Sequence, residues 1–516
     1  MSQTKQRLLV NAAFGASFNL VSMVISLFMT RFLLAKLGKE LYGLIPLVNG
    51  FVIFLNLFQM GTYAALGRHV TYHLVRGEEQ EANEYLNTGF AVLLRLALFG
   101  LIPLAVMVVA LPHIFGLPAG HQLEARMVAL ILGLNCLVNV AACSFGVPLY
   151  STQRLALRYT LHTADVLVRA GLTVAAFFCI RPQVLYVALA ALLASCAMHA
   201  GQYVASRLLV PSLRFTLSLF RRERMKKLLS FSVFMVIGHL GVMLFAKTDL
   251  MVVNWIYEST GPVAEYSVAS RWNPMIRDLL WTVLAVVMPV VTAFEATGRI
   301  DKIRETVHRG MRYALLLAVL PCVLFPILGA QFYGTWFAGT DVAGDMVKMA
   351  PILAILVCPL LLHIATFPIA ISLHGMGKVK FVAFATLGSA LANLVLSLVL
   401  GGALKWGMTG VAVASAVSNV LLAVVVYPIA ARRLLGLPVS QFFGTFIRPL
   451  AACAPVAVLM IWLADRVNPL GWPQLLSAYA LCSMLYLVIA YLVGLQEDDR
   501  RLLGQALGLS GRGEQP

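Results

Sequence analysis

"RGEEQEANEYLNTGFAVLL", Arg76 to Leu94, and "TGRIDKIRETVHRGMRYALLL", Thr297 to Leu317, decide how this chain is built. Gly77 and Gly89 of the first stretch match Gly298 and Gly310 of the second, and Glu84 matches Glu305, all at one constant spacing. Further on, "LRYTLHTADVL" (Leu157–Leu167) matches "VKFVAFATLGS" (Val379–Ser389) at nearly the same spacing, with Arg158 and Tyr159 opposite Lys380 and Phe381. Two separated matches at nearly one offset indicate two halves of like construction in parallel orientation. In each, a charged loop gives way to an apolar run, so the repeated unit is a set of membrane spans. Parallel repeats of this kind are common in transporters, whose substrate site lies between the halves.

Composition agrees. Of 516 residues, 60% are hydrophobic and only 12% charged, against about 25% charged in soluble chains; mean hydropathy is +0.86. The expected fold class is an all-α polytopic membrane protein with about fourteen apolar segments of roughly 20 residues or more. The first follows Lys5 and Arg7 without a small-residue cleavage site and reads as a retained signal anchor. The expected organisation is an N-terminal six-helix lobe (1–210), a basic amphipathic cytoplasmic linker (211–230), a C-terminal six-helix lobe (228–435), two additional transmembrane helices (440–494) and a cytoplasmic tail (495–516). Most of the 39 Lys and Arg fall in the tails and even-numbered loops. The positive-inside rule therefore places both termini in the cytoplasm. In the linker, Leu213, Leu217 and Phe220 keep helical spacing beside the block Arg221, Arg222, Arg224, Lys226 and Lys227, which predicts an interfacial helix on anionic phospholipid headgroups. Topology accounts for most of the net charge of +17, so no nucleic-acid partner is implied.

Charges inside the spans carry the functional signal, because an ionisable group at membrane depth is costly and usually faces a bundle interior or a wet cavity. Asp165 and Arg169, spaced i,i+4, read as an intrahelical pair. Arg126 and Arg448 lie near span ends and can snorkel. Arg31, Arg95, Lys247, Arg271 and Arg277 are the candidate substrate-binding residues; Asp249 and Asp278 are candidates for ion coupling or structural pairing. Asp249 lies about 12 Å of helix before Tyr257, and Arg271 about 15 Å beyond Gly261. In a tight hairpin the two meet at matching depth, while Lys247, on the face of Asn254, is left to a hydrated cavity. Pro274 in "RWNP" frees a backbone carbonyl beside Arg271. The inferred cavity is net cationic and suits a pyrophosphate held by Arg forks and a Lys point charge.

Several stretches also carry a family likeness. "TRFLLAKLGKELYGLIPL" (Thr30–Leu47), "TDLMVVNWIYESTGPVAEYSVASR" (Thr248–Arg271), "VVMPVVTAFEATG" (Val286–Gly298), "LHGMGKVKFVAFATLGSALANLVLS" (Leu373–Ser397) and "WGMTGVAVASAVSNVLLAVVV" (Trp406–Val426) resemble the bacterial polysaccharide flippases of the O-antigen and exopolysaccharide type. These share a superfamily with lipid II flippases and multidrug-and-toxin exporters. The resemblance implies a two-lobed transporter of the inner membrane. It would move an undecaprenyl-pyrophosphate-linked oligosaccharide to the periplasmic leaflet by alternating access, in company with a glycan polymerase and other assembly proteins. One departure is Glu265, where the family usually carries a small residue before "YSVA".

Two alternatives remain open on sequence. One is an ion-coupled small-molecule or multidrug exporter, or a lipid II flippase, of the same superfamily; an exporter of cations would want an anionic cavity. The other is a non-transporting membrane scaffold for glycan assembly. Nothing points to an enzyme: there is no Walker loop and no HExxH, and His239 and His363 read as packed or cavity-lining groups, not metal ligands. The eight cysteines fall in apolar spans without a CxxC pair, so packing is their expected role and no metal is called for. No cofactor is expected; coupling to a proton or sodium gradient would use Asp249.

Overall fold

The computed structural model describes residues 3–117, 120–284, 287–466, 471–497 and 499–500; most of the expected tail lies outside them. The described residues contain helices and no strand. Among the described residues, twelve helical segments are long and apolar enough to cross a membrane. The chain is a multi-pass membrane protein.

About fourteen spans were expected, and two places account for the difference. The first expected span and the start of the second lie in α1 (Gln3–Val52), two helices that meet at a kink at Gly38, whose φ of 73° and ψ of 171° leave helical geometry. Glycine permits that conformation because it has no Cβ. The apolar stretch Ser17–Leu55 holds 39 residues, about 58 Å of helix and enough for more than one crossing. The eighth expected span holds α9 (Gly261–Ser270), α10 (Trp272–Leu284) and α11 (Val287–Ala296), residues 285–286 lying outside the described residues. The first interruption is at Arg271, within the "RWNP" stretch that predicted a break.

Two compact units result, Met1–Glu265 and Tyr266–Pro516. The first contains α2 (Leu57–Val75), α3 (Glu79–Ile114), α4 (Gln122–Ala142), α5 (Val147–Ser151), α6 (Leu155–Cys179), α7 (Val184–Leu209) and α8 (Arg222–Tyr257). Helix α8, expected to open the second lobe, packs here on α1, α2 and α3. Packing is close where side chains are small: a Cβ on Gly133 of α4 would lie 2.1 Å from Leu104 of α3, and one on Gly100 2.6 Å from Leu137. Small residues let helices approach where lipid offers no hydrophobic drive to associate. In the second unit α12 (Ile300–Val319) packs against the short helices of 360–375 and against Val439–Arg466.

Backbone punctuation supports the repeat. Gly77 and Gly298 have φ of 75° and 67°. Their N–H groups donate to Leu74 and Glu295 carbonyls at 3.0 Å, and the following N–H groups of Glu78 and Arg299 donate to His73 and Phe294 at 2.9 Å. The second match needs a shift in register. Gln153 and Gly377, with φ of 59° and 71°, precede Arg154 and Lys378, whose N–H groups donate to Leu149 and Leu373 at 2.8 Å. Arg154 therefore corresponds to Lys378, and Arg158 falls opposite Val382, not Lys380. The turn fixes this register, and side-chain likeness had misread it.

The linker does not form the expected helix before Arg222 beyond one 3-10 turn, Leu217–Leu219. Its backbone groups are taken by α3: Asn83 bonds Ser212 O at 2.7 Å and Arg214 N at 2.8 Å. Asn87 likewise bonds Arg214 O at 2.7 Å and Thr216 N at 2.6 Å. Leu213 enters an apolar cluster with Leu66, Tyr85, Leu86, Val210 and Leu228, so it is not offered to lipid. At the matching repeat position, Arg304 Nε donates to Leu435 O at 2.6 Å, in the segment that leaves the last span of the second half.

Candidate functional site

The first unit places Arg31 and Lys247 half-buried and Asp249 buried on their spans. The Lys247 backbone lies against Gly50 of α1, where an added Cβ would meet its carbonyl oxygen at 3.8 Å. Arg95 is exposed, and its guanidinium stacks over the Phe220 ring of the linker at 4.5 Å. Helix α3 begins at Glu79 and projects beyond any single bilayer crossing, which brings the linker up to a residue that sequence placed deep in the span. Asp165 and Arg169 pair at 3.1 Å, as their spacing predicted.

In the second unit Arg271 marks the break between α9 and α10. Arg277 is half-buried, close enough to Asp278, Tyr427 and His363 for their charges to interact. His363 and Tyr427 are both buried, their ring centroids 6.4 Å apart. Asp278 is exposed. Asp249 belongs to the first unit and Arg271 to the second.

The sequence reading had the Asp165–Arg169 pair but not the three larger assemblies that follow. The first is a polar stripe on α6. Arg158, His162, Asp165 and Arg169 recur at helical spacing on one face. Arg158 lies over the Tyr63 ring at 5.3 Å; His162 meets Gln202 at 3.4 Å; Asp165 accepts from Ser195 at 3.5 Å. Beside them His199 meets Asn139 at 3.0 Å. The three-and-four spacing along an apolar helix was the available signal.

The second lies at the opposite end of the first unit from the linker, where the α8–α9 turn is clamped. Glu40 Oε2 accepts from Ser259 Oγ and Thr260 Oγ1, each at 3.1 Å, and from Gly261 N at 3.0 Å. Its backbone carbonyl accepts from Thr260 Oγ1 at 2.7 Å. Lys39 Nζ pairs with Glu265 Oε1 at 2.9 Å, which gives the unexpected carboxylate its partner. On the other flank Asn254 bonds both backbone groups of Gly116, at 2.9 and 3.0 Å, and Trp255 Nε1 donates to Ile114 O at 3.0 Å. A Cβ on Gly43 would lie 1.9 Å from Thr260 O, so only glycine allows this approach.

The third is a buried ion pair in the second unit. Arg312 of α12 bonds Asp499, whose other oxygen accepts from Tyr313 Oη at 2.7 Å. Both charged side chains are at most 5% exposed. Among the described residues no group of three His, Cys, Asp or Glu could hold a metal ion.

The profile of the family described as "Polysaccharide biosynthesis protein" matches residues 8–295. This chain belongs to that family. It is similar to the "Uncharacterized membrane protein EpsK" of Bacillus subtilis (strain 168), 22% identical over 494 residues that cover 96% of this chain and 97% of the relative. Among solved structures, it resembles an inward-facing multidrug resistance MATE family transporter of the MOP superfamily, with TM-score 0.69 and 15% identity over 81% of this chain and 98% of that one. It also resembles the lipid II flippase MurJ in an inward closed conformation, with TM-score 0.68 and 16% identity over 97% and 99%. The chain shares its fold with these two proteins.

Proposed function

We propose that this protein translocates an undecaprenyl-pyrophosphate-linked oligosaccharide from the cytoplasmic to the periplasmic leaflet of a bacterial inner membrane by alternating access, with both termini cytoplasmic. The observation that carries this reading is the sign of the charges at membrane depth. Arg31 and Lys247 in the first unit and Arg277 in the second are half-buried cations on apolar helices, where such groups are retained only for a wet cavity or a partner. Arg277 lies near buried His363 and Tyr427, and Asp278 beside it in sequence is exposed. Cations of this kind fit a pyrophosphate and disfavour a cationic drug. Anionic phospholipids around the basic linker end, and a glycan polymerase nearby, complete the proposed setting.

The test is translocation in proteoliposomes. Lipid-linked oligosaccharide, lipid II and a cationic dye are offered separately, and outer-leaflet appearance is followed by an impermeant enzyme or quencher. Movement of the first, lost with Arg277→Met and Lys247→Met, is expected. Movement of lipid II or the dye alone would overturn the assignment.

A further inference from the structure

We infer that the cleft between the first turns of α12 and of the helix Val439–Arg466 binds the phosphodiester headgroup of an anionic phospholipid, whatever the cargo. The cleft holds about 410 Å³, and Arg304, Glu305, His308, Gly436 and Gln441 are among the residues that line it. That volume falls in the usual range for ligand clefts, roughly 300–1,000 Å³. The cleft lies at headgroup depth: Arg304 stands four residues, about 6 Å, into α12, and Gln441 two residues, about 3 Å, into its neighbour. Both helices start at this end, since one turn further in on each, His308 Nδ1 and Thr445 Oγ1 meet at 3.3 Å.

Arg304 is fixed in the wall at two of its three nitrogens. Nε donates to Leu435 O at 2.6 Å and Nη1 to Asp301 Oδ1 at 3.0 Å. Nη2 lies over Gly436, where an added Cβ would stand 2.6 Å from it. The glycine, at φ 67°, keeps that space open. A guanidinium held in this way presents its remaining donors to a phosphate without further ordering. Glu305, the carboxylate on the wall, is already paired with Arg309 Nη2 and Lys302 Nζ, each at 2.9 Å. The segment that closes the cleft adds exposed Arg432 and Arg433, and Lys378 Nζ donates to Leu434 O beside them at 3.4 Å. Basic clefts of this kind between membrane helices take anionic headgroups.

A second cation points to the same occupant. Gln441, Gly444 and Arg448 fall on one face of the helix Val439–Arg466, and all three are exposed. A Cβ on Gly444 would meet nothing within 4 Å, so the face below the cleft is open. Arg448 stands nine residues, about 14 Å, into the helix, with no acidic partner among the described residues. A cation at that depth calls for an anion or the interface, and the Cα–Cβ bonds of a helix tilt toward its N-terminus, here the end that bears the cleft. A lipid phosphate seated at the cleft gives both arginines their counter-charge. A choline headgroup would bring a cation of its own against the same wall.

The test is native mass spectrometry of the full chain in detergent, titrated with phosphatidylglycerol and, for comparison, with phosphatidylcholine. One phosphatidylglycerol is expected to bind ahead of all others. Arg448→Gln and Gln441→Glu both alter exposed side chains and leave the Arg304 contacts in place; each should weaken that first binding about fivefold. Arg222→Gln combined with Lys226→Gln, at the linker, should leave it unchanged. Undiminished binding in both cleft variants would overturn the site. So would an equal loss in the linker variant, because binding would then follow overall charge alone. Phosphatidylcholine held as tightly, or phosphatidylglycerol displaced by inorganic phosphate, would rule out the anionic lipid as occupant.

Discussion

At the scale of single residues, Lys247 and Asp249 stand two apart on α8 yet differ in setting, the lysine half-buried and the aspartate 7% exposed. They should therefore fail differently. Lys247→Met should leave protein abundance near normal and lower export, read as surface polysaccharide per unit of protein in cells lacking the native copy. Asp249→Asn should lower abundance and thermal stability by on the order of 1–3 kcal/mol, as when a buried group loses its charged partner. Partial recovery with Arg271→Gln added would support the pairing expected from helix depth, and no recovery would sink it. Glu265 shows what sequence could and could not supply. It was legible as a departure from the family pattern, but its partner Lys39 lies too far away in sequence for any spacing rule to connect them.

Helices behave differently. Their apolar length is written in the sequence, and so is most of their placement, because an apolar run of sufficient length must bury itself in lipid. Their interruptions are harder to read. Gly38 separates the two helices of α1 by a dihedral that composition does not announce, whereas the break at Arg271 was signalled by the proline three residues on. The polar stripe of α6 was legible in principle at its regular spacing, but its partners Gln202 and Ser195 become visible only when α7 packs beside it. The Arg312–Asp499 pair joins α12 to the chain beyond the last span, through a buried contact no local pattern reveals. Removing one member leaves an uncompensated buried charge, so Asp499→Ala should cost about 3–5 kcal/mol. Arg312→Met with Asp499→Leu should recover most of that. Thermal unfolding in detergent measures both, and equal losses in the single and double variants would show that the pair is not the source.

At the scale of the whole molecule, the even-loop excess of Lys and Arg makes a topological prediction. A cysteine at Ser218 should react only with permeant reagents, and one at Lys405 with impermeant reagents from outside. The reverse pattern would invert the orientation. The like turns at Gly77 and Gly298 were legible in the constant spacing of their glycines. The division into compact units was not, since whether α8 joins its own half or the other depends on packing surfaces that neither half encodes alone.

That division changes what kind of connection residues 211–221 make. Both of their ends belong to the first unit, and the backbone is held on either side of the exposed 3-10 turn. Asn83 and Asn87 grip residues 212–216, and Thr88 Oγ1 accepts from Arg221 N at 3.0 Å. The covalent bond at the tip is therefore dispensable once the chain has folded. A protease nick beside Ser218, or co-expression of residues 1–217 and 218–516 as separate polypeptides, should yield a complex that co-purifies and still exports glycan. Fragments that fail to associate would show that α8 needs the unbroken chain to find its place.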